Sequence, residues 1–229
     1  MKKVLGAVCG LMLTVGTLPA LAQHKMDERL NRAADILDQI EHTPDRAIPE
    51  TVAARAHCVI VIPSVKKGAL GIGGQYGQGV GTCRTGHGWS APVFLRLAGA
   101  SYGLQIGGQA TDLVLLGMNE KSLQDMLHSK FKLGADASAA AGPVGRNAQA
   151  ATDVFLNAEF LTYSRAKGLF AGLDLSGDVL DLNGDEFHDE YGEGVSPDAV
   201  LHGAVPVPPN AQRFVHTVAR YFVVSRENH

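Results

Sequence analysis

No Gly-x-Ser-x-Gly elbow occurs in this sequence. Ser90 lies in GHGWSAP and Ser101 in GASYG, so neither is flanked as a hydrolase nucleophile would be. His-Glu-x-x-His is absent and no cysteine pair has zinc spacing, which removes the common zinc sites. The glycines form no strict Gly-x-Gly-x-x-Gly and no Gly-Lys-Ser/Thr, so neither a dinucleotide nor a nucleotide-phosphate loop is supported. Positive charge is also not in excess: 20 Lys+Arg stand against 23 Asp+Glu, a net charge of −3. Broad nucleic-acid binding needs clustered positive charge against phosphate, and this balance argues against it. These absences leave no recognised template for catalysis, and no cofactor or metal is expected.

The first residues carry a different message. Lys2 and Lys3 precede a largely apolar run from Val4 to Leu18, followed by Pro19 and the small-x-small Ala20-Leu21-Ala22. The run is shorter than the ~20 residues that span a bilayer, and the tripartite pattern reads as an export signal, residues 1–22. Cys9 comes too early to be a lipid-attachment cysteine. The mature chain, 23–229, keeps 18 Lys+Arg against 23 Asp+Glu, hence −5, and its length suits one domain. The expected location is the periplasm or envelope, or the exterior.

Thirteen of the 27 glycines lie between Gly68 and Gly108, and Ile-Gly-Gly-Gln occurs twice, at Ile72–Gln75 and Ile106–Gln109. Glycine in β-prone sequence is tolerated where strands bend or backbones approach closely, so Ile62 to Gln109 reads as a bent β-hairpin region. Cys58 and Cys83 tie its start to its middle if they are bonded, worth roughly 3 kcal/mol in the loop-entropy model. They remain two thiols if their Cα atoms lie too far apart.

Apolar spacing predicts an amphipathic helix over Met26 to Ile40, and Pro49 suits the first turn of a short helix ending near His57. A buried strand follows at Cys58 to Ile62, stopped by Pro63. Another strand is expected at Thr111 to Leu116, and a helix over Met118 to Leu133 with Asn119 as cap. Gly134 to Gly145 fits a closely approached strand, or a helix ended by Gly142 and Pro143. Val154 to Arg165 and Lys167 to Leu182 read as paired strands. Ser196 caps a helix over Pro197 to His202, and a final helix over Asn210 to Val224 carries the stripe Phe214, Val218, Tyr221 and Phe222. The fold class is α+β, with an antiparallel-rich, strongly bent, glycine-containing sheet flanked by amino- and carboxy-terminal helices.

Few side chains suggest a site. Asp181 to Glu190 starts like a calcium loop, but Glu186 stands where the loop needs glycine and Gly192 where it needs a bidentate glutamate. His87, in Arg84-Thr-Gly-His87-Gly-Trp89-Ser90, has no evident nucleophile to serve and reads as a turn residue. Lys66-Lys67, after Pro63, and Arg165 with Lys167 are basic turns on an acidic chain. Such turns can meet lipid phosphates, with Trp89 as an interfacial aromatic.

The strings VIPSVKKGALGIGGQYGQGV, GWSAPVFLRLAGASYGLQIGGQATDLVLLGMN, LGADASAAAGPVGRNAQAATD and YSRAKGLFAGLDLSG, then Tyr191-Gly192, resemble the SYLF-domain family in consecutive order over about 54–192. The resemblance implies a lipid-binding module, phosphoinositide-preferring in eukaryotes and actin-binding in some fungal members. For an exported chain it implies anionic phospholipid as the partner and no actin in that compartment. Lys66, Lys67, Arg165 and Lys167 fall inside the matching strings and are the expected lipid contacts. The resulting expectation is a non-catalytic, exported phospholipid-binding domain of the cell envelope. A scaffold that binds other envelope proteins, or a hydrolase with an unrecognised site, are the alternatives.

Overall fold

The computed structural model describes residues 18–42, 48–103, 109–127, 130–144, 158–166, 169–172, 175 and 177–223. Helix α1 (Leu18–Glu41) turns Met26, Leu30, Ala33, Leu37 and Ile40 inward, each buried, as the 3.6-residue period requires. Helix α2 (Glu50–Arg55) starts after Pro49. Strand β1 (Cys58–Thr85) then takes 28 residues without interruption.

β1 folds back on itself. Cys58 and Cys83 are bonded, with Cα atoms 4.0 Å apart, and the Arg84 amide donates to the His57 carbonyl at 2.7 Å. The outgoing limb pairs on its free side with β4 (Gln109–Gly117), from Cys58↔Gly117 to Lys67↔Gln109. The returning limb pairs with β3 (Val93–Gly103), from Gly71↔Gly103 to Gly81↔Val93. Where the limbs cross, Gly79 has no room for a side chain: a Cβ would sit 2.5 Å from the Val61 carbonyl oxygen. The bent hairpin expected from the glycines is therefore present, and the first Ile-Gly-Gly-Gln lies on its returning limb. The second begins outside the described residues and ends at Gln109, the first residue of β4.

Pro63 does not stop the strand as expected. The register shifts between Ile62 and Val65, and Ser64 takes a φ of 52° while its amide donates to Asp112 Oδ1 at 2.9 Å. A bulge accommodates the proline, which has no N–H to give a ladder.

The remaining strands extend both sides. β2 (Gly88–Trp89) closes on the end of β1. On one side β9 (Val179–Leu182) joins β3 and carries β5 (Lys130–Lys132). On the other, β7 (Phe160–Ala166) joins β4 and carries β6 (Ala139–Ala141) and β8 (Leu169–Gly172). The β6–β7 pair is parallel, so the strongly curled sheet is mixed within an α+β fold.

Helix α3 (Glu120–Leu127) is shorter than expected, because Lys130–Lys132 leaves it for β5 with Phe131 buried between exposed lysines. Its start is held by Asn119, whose Oδ1 accepts from the Ser122 amide at 3.0 Å. Helix α4 (Gly184–Tyr191) follows β9. Ser196 caps α5 (Pro197–Leu201) through the Ala199 amide, and α6 (Gln212–Tyr221) ends the described chain. Val59, Val61 and Val80 bury under α1 and α6, whereas Ile60, Ile62 and Val65 enter a second core with Phe131, Phe187 and Leu201. Because both faces are covered, Cys58 to Ile62 reads as unbroken apolar sequence.

Candidate functional site

Alternate residues of the returning limb of β1 meet α1 in turn. Val80 is buried in the core beneath the helix. Gln78 Oε1 accepts from Arg29 Nη2 at 3.1 Å. Tyr76 emerges at 48% exposure. Along α1, Lys25, Glu28, Arg29 and Arg32 recur at three- and four-residue spacing, so they form one stripe along the flank toward the hairpin. Between stripe and hairpin lies a cleft of about 420 Å³, floored by Pro63, Ser64, Gly77 and Gln78 and flanked by Lys66 and Tyr76.

The charges in this cleft are unequally matched. Arg29 is spent on Glu186 of α4, with both guanidinium ends engaged (Nη2 to Oε1, 2.9 Å) and only 10% of its side chain exposed. Lys25, Arg32 and Lys66 have no hydrogen-bond or ion-pair partner among the described residues and face the single carboxylate of Glu28. On a chain of net charge −3, this is a local positive surface. Asp112, mostly buried, holds the cleft's rim from behind by accepting the Ser64 amide and pairing with Arg165 at 3.5 Å.

Of the residues expected to act, Lys66 lines this cleft and Lys67 follows it on the same limb. Arg165 is two strands away and is neutralised by Asp112. Lys167 lies outside the described residues. Trp89 sits at the opposite end of the hairpin, stacked under the Arg84 guanidinium at 4.5 Å and edge-on to Phe222 at 6.2 Å, where it is packed against the core. Arg84 itself is held by the carbonyls of Ala56 and Phe222 at 3.1 and 2.9 Å, and its burial lowers its pKa.

The acidic segment spends several of its carboxylates on protein partners. Asp181 pairs with Arg96 at 2.7 Å, Glu186 with Arg29, and Glu190 accepts the amides of Gln23 and Asn210. His87 is exposed in its turn. Ser90 is buried, its hydroxyl donating to the Ala91 carbonyl at 2.8 Å and accepting from the Cys83 amide at 3.1 Å. Sequence reasoning missed Lys25, Arg32 and Tyr76 as site residues. Their only local signal was the basic spacing on α1 and a lone aromatic among glycines.

The family described as "Ysc84: Las17-binding protein actin regulator" matches residues 98–221. Protein YSC84 of Saccharomyces cerevisiae is 33% identical over 190 residues, which is 81% of this chain and 40% of that protein. The human SH3 domain-containing YSC84-like protein 1 is 30% identical over 171 residues, 74% of this chain and 50% of that protein. LAS seventeen-binding protein 3 of S. cerevisiae is 32% identical over 169 residues, 72% and 37% respectively. The chain thus spans half or less of these relatives' own lengths.

These descriptions overturn the expectation of anionic phospholipid as partner with actin set aside, because they point to protein and actin partners. The physical weakness of that expectation is visible in Arg165, whose charge Asp112 already takes up. From the residues matched and the identity shared, the chain belongs to the Ysc84 family, the SYLF-domain proteins.

Proposed function

We propose that this chain is a non-catalytic protein-binding domain whose partner is of the actin class, on the support of a family description that names an actin regulator. One observation carries the reading: Tyr76, half exposed, stands beside Lys25, Arg32 and Lys66, which make no ion pair among the described residues, and the one carboxylate lining the cleft is Glu28, between Lys25 and Arg32 on the same helix stripe. Tyrosine and arginine are enriched in protein-binding hot spots, and Tyr76 with Arg32 supplies that pair here, the two lysines adding charge. The absence of catalysis is supported by Ser90, whose hydroxyl is buried and committed to backbone, and by His87, which stands exposed in a turn.

Co-sedimentation of the full chain with actin filaments tests this, with flotation on phosphatidylglycerol vesicles run in parallel. Pelleting with filaments is the expected result. A chain that stays in the supernatant with filaments, or that binds the vesicles alone, overturns the reading. As a separate reading we propose export, on the support of the leader at 1–22; if both readings hold, the actin-class partner is met outside the cell that makes the chain. Amino-terminal sequencing of the cell-envelope or medium fraction should start at Gln23, and recovery from cytosol with Met1 intact would refute it.

A further inference from the structure

We propose that the cleft between α1 and the β1 hairpin takes an extended acidic segment of the protein partner. Its carboxylates would meet Lys25, Arg32 and Lys66, and an apolar or aromatic side chain would lie on Tyr76. This rests on the protein-binding reading above and adds the chemistry of what is bound.

Three features of the cleft select this occupant. The first is charge: Lys25, Arg32 and Lys66 are exposed and unpartnered among the described residues, against a chain that is negative overall. Cations gathered this way attract an anion of complementary pattern and favour its encounter. The second is spread. Lys25 and Arg32 are seven residues apart on one helix stripe, so their Cα atoms lie about 10 Å apart along the axis. About three residues of extended chain cover that distance, which suits several carboxylates in a row better than one point anion. Lys66 faces them from the other wall.

The third is backbone availability. In the adjoining part of β1, the outgoing limb is paired to β4 at Val65, Lys66 and Lys67, and the returning limb to β3 at Gln75, Tyr76 and Gly77. Those two edges are taken, and what the cleft presents to an occupant is the side chains of Lys25, Arg32, Lys66 and Tyr76. Arg29, fixed by Glu186 and Gln78, gives the helix wall a set position against the hairpin.

The test uses the full chain and a fluorescein-labelled peptide alternating glutamate and glycine around one central tryptophan, read by fluorescence anisotropy at low ionic strength. A peptide with lysine in place of glutamate is the control. The glutamate peptide should bind and the lysine peptide should not. Combining Lys25→Ser, Arg32→Ser and Lys66→Ser should weaken binding about tenfold or more, and added salt should do the same to the parent. Tyr76→Ser should weaken the tryptophan peptide but leave a tryptophan-free version unchanged. All four positions are exposed, and an unchanged thermal melt shows that the variants fold.

Equal binding of both peptides, or an unaffected triple variant, overturns the proposal. Displacement of the glutamate peptide by phosphatidylglycerol vesicles but not by unlabelled peptide overturns it too. Filament co-sedimentation of the triple variant separates the two claims. If it still pellets with filaments as the parent does, the protein-binding reading stands and the cleft assignment fails; if the parent never pelleted, the broader reading fails by itself.

Discussion

Replacing Gly99 by alanine should destabilise this fold far more than the same change at Gly74, although the two glycines lie one residue apart in the β1–β3 register. A Cβ on Gly99 would lie 1.5 Å from Asp178 Oδ1, 2.6 Å from its Cγ and 3.3 Å from its Cα. The carboxylate is 3% exposed and accepts from Gln75 Nε2, itself on a buried side chain directly opposite Gly99. It cannot keep that bond and make room for a methyl group. Overpacking costs typically 1–3 kcal/mol, and disturbing a buried hydrogen bond to a charge costs a further 1.5–3 kcal/mol. Together they come to about 2.5–6 kcal/mol. At Gly74 the nearest atom to a new Cβ is the Gly99 carbonyl oxygen at 3.7 Å, ordinary contact, so alanine there should change stability by less than about 1 kcal/mol. Urea unfolding of both variants checks this: with a slope near 3 kcal/mol/M, the Gly99→Ala midpoint should fall by roughly 1 M or more. Asp178→Ala should relieve much of the Gly99→Ala penalty in a double-mutant cycle. Coinciding midpoints for the two alanine variants, or full additivity in the cycle, would refute the reasoning.

The Cys58–Cys83 bond closes a 25-residue separation at the base of the hairpin, so exchanging both cysteines for serine should cost about 3 kcal/mol. A urea midpoint unchanged by the exchange, or by reduction of the parent, would show that the backbone pairing alone carries the hairpin. Tyr163 is buried and Tyr191 half-buried, and desolvation raises both phenol pKa values, but only Tyr191 has a hydroxyl partner among the described residues, the Pro92 carbonyl at 2.6 Å. Tyr191→Phe should therefore cost about 1 kcal/mol at neutral pH, whereas Tyr163→Phe should be neutral or stabilising. Because the folded state holds these phenol protons more tightly than the unfolded chain does, their contribution is complete below about pH 10 and is lost above it. Tyr163→Phe should move alkaline unfolding to higher pH. Equal losses from the two phenylalanine variants at neutral pH would contradict the assignment.

Local sequence signals made the regular elements legible, and they fail where a partner is remote. Ser196-Pro197 and Asn119 carry their caps in neighbouring residues, and both cap as expected. Pro63 carries a signal for a stop, but Asp112 takes the Ser64 amide and turns the break into a bulge. Lys130–Lys132 follows a helical pattern, and only its ladder with Val179–Asp181 makes it a strand. Gln75 and Asp178 are 103 residues apart, so the repeated Ile-Gly-Gly-Gln displayed its glycines as bending positions while concealing the buried bond of its glutamine. Charge follows the same rule with larger consequences for function. A basic residue read along the chain is a cation, but in the fold it counts only after its pairings are subtracted. Asp112 removes Arg165 and Glu186 removes Arg29, whereas Lys25 and Arg32 keep their charge and meet Lys66 across the cleft. Lys66 was legible as a site residue because its own neighbours mark a basic turn. The site around it became visible only when α1 was laid against the hairpin, since nothing near Lys66 in sequence says which helix faces it.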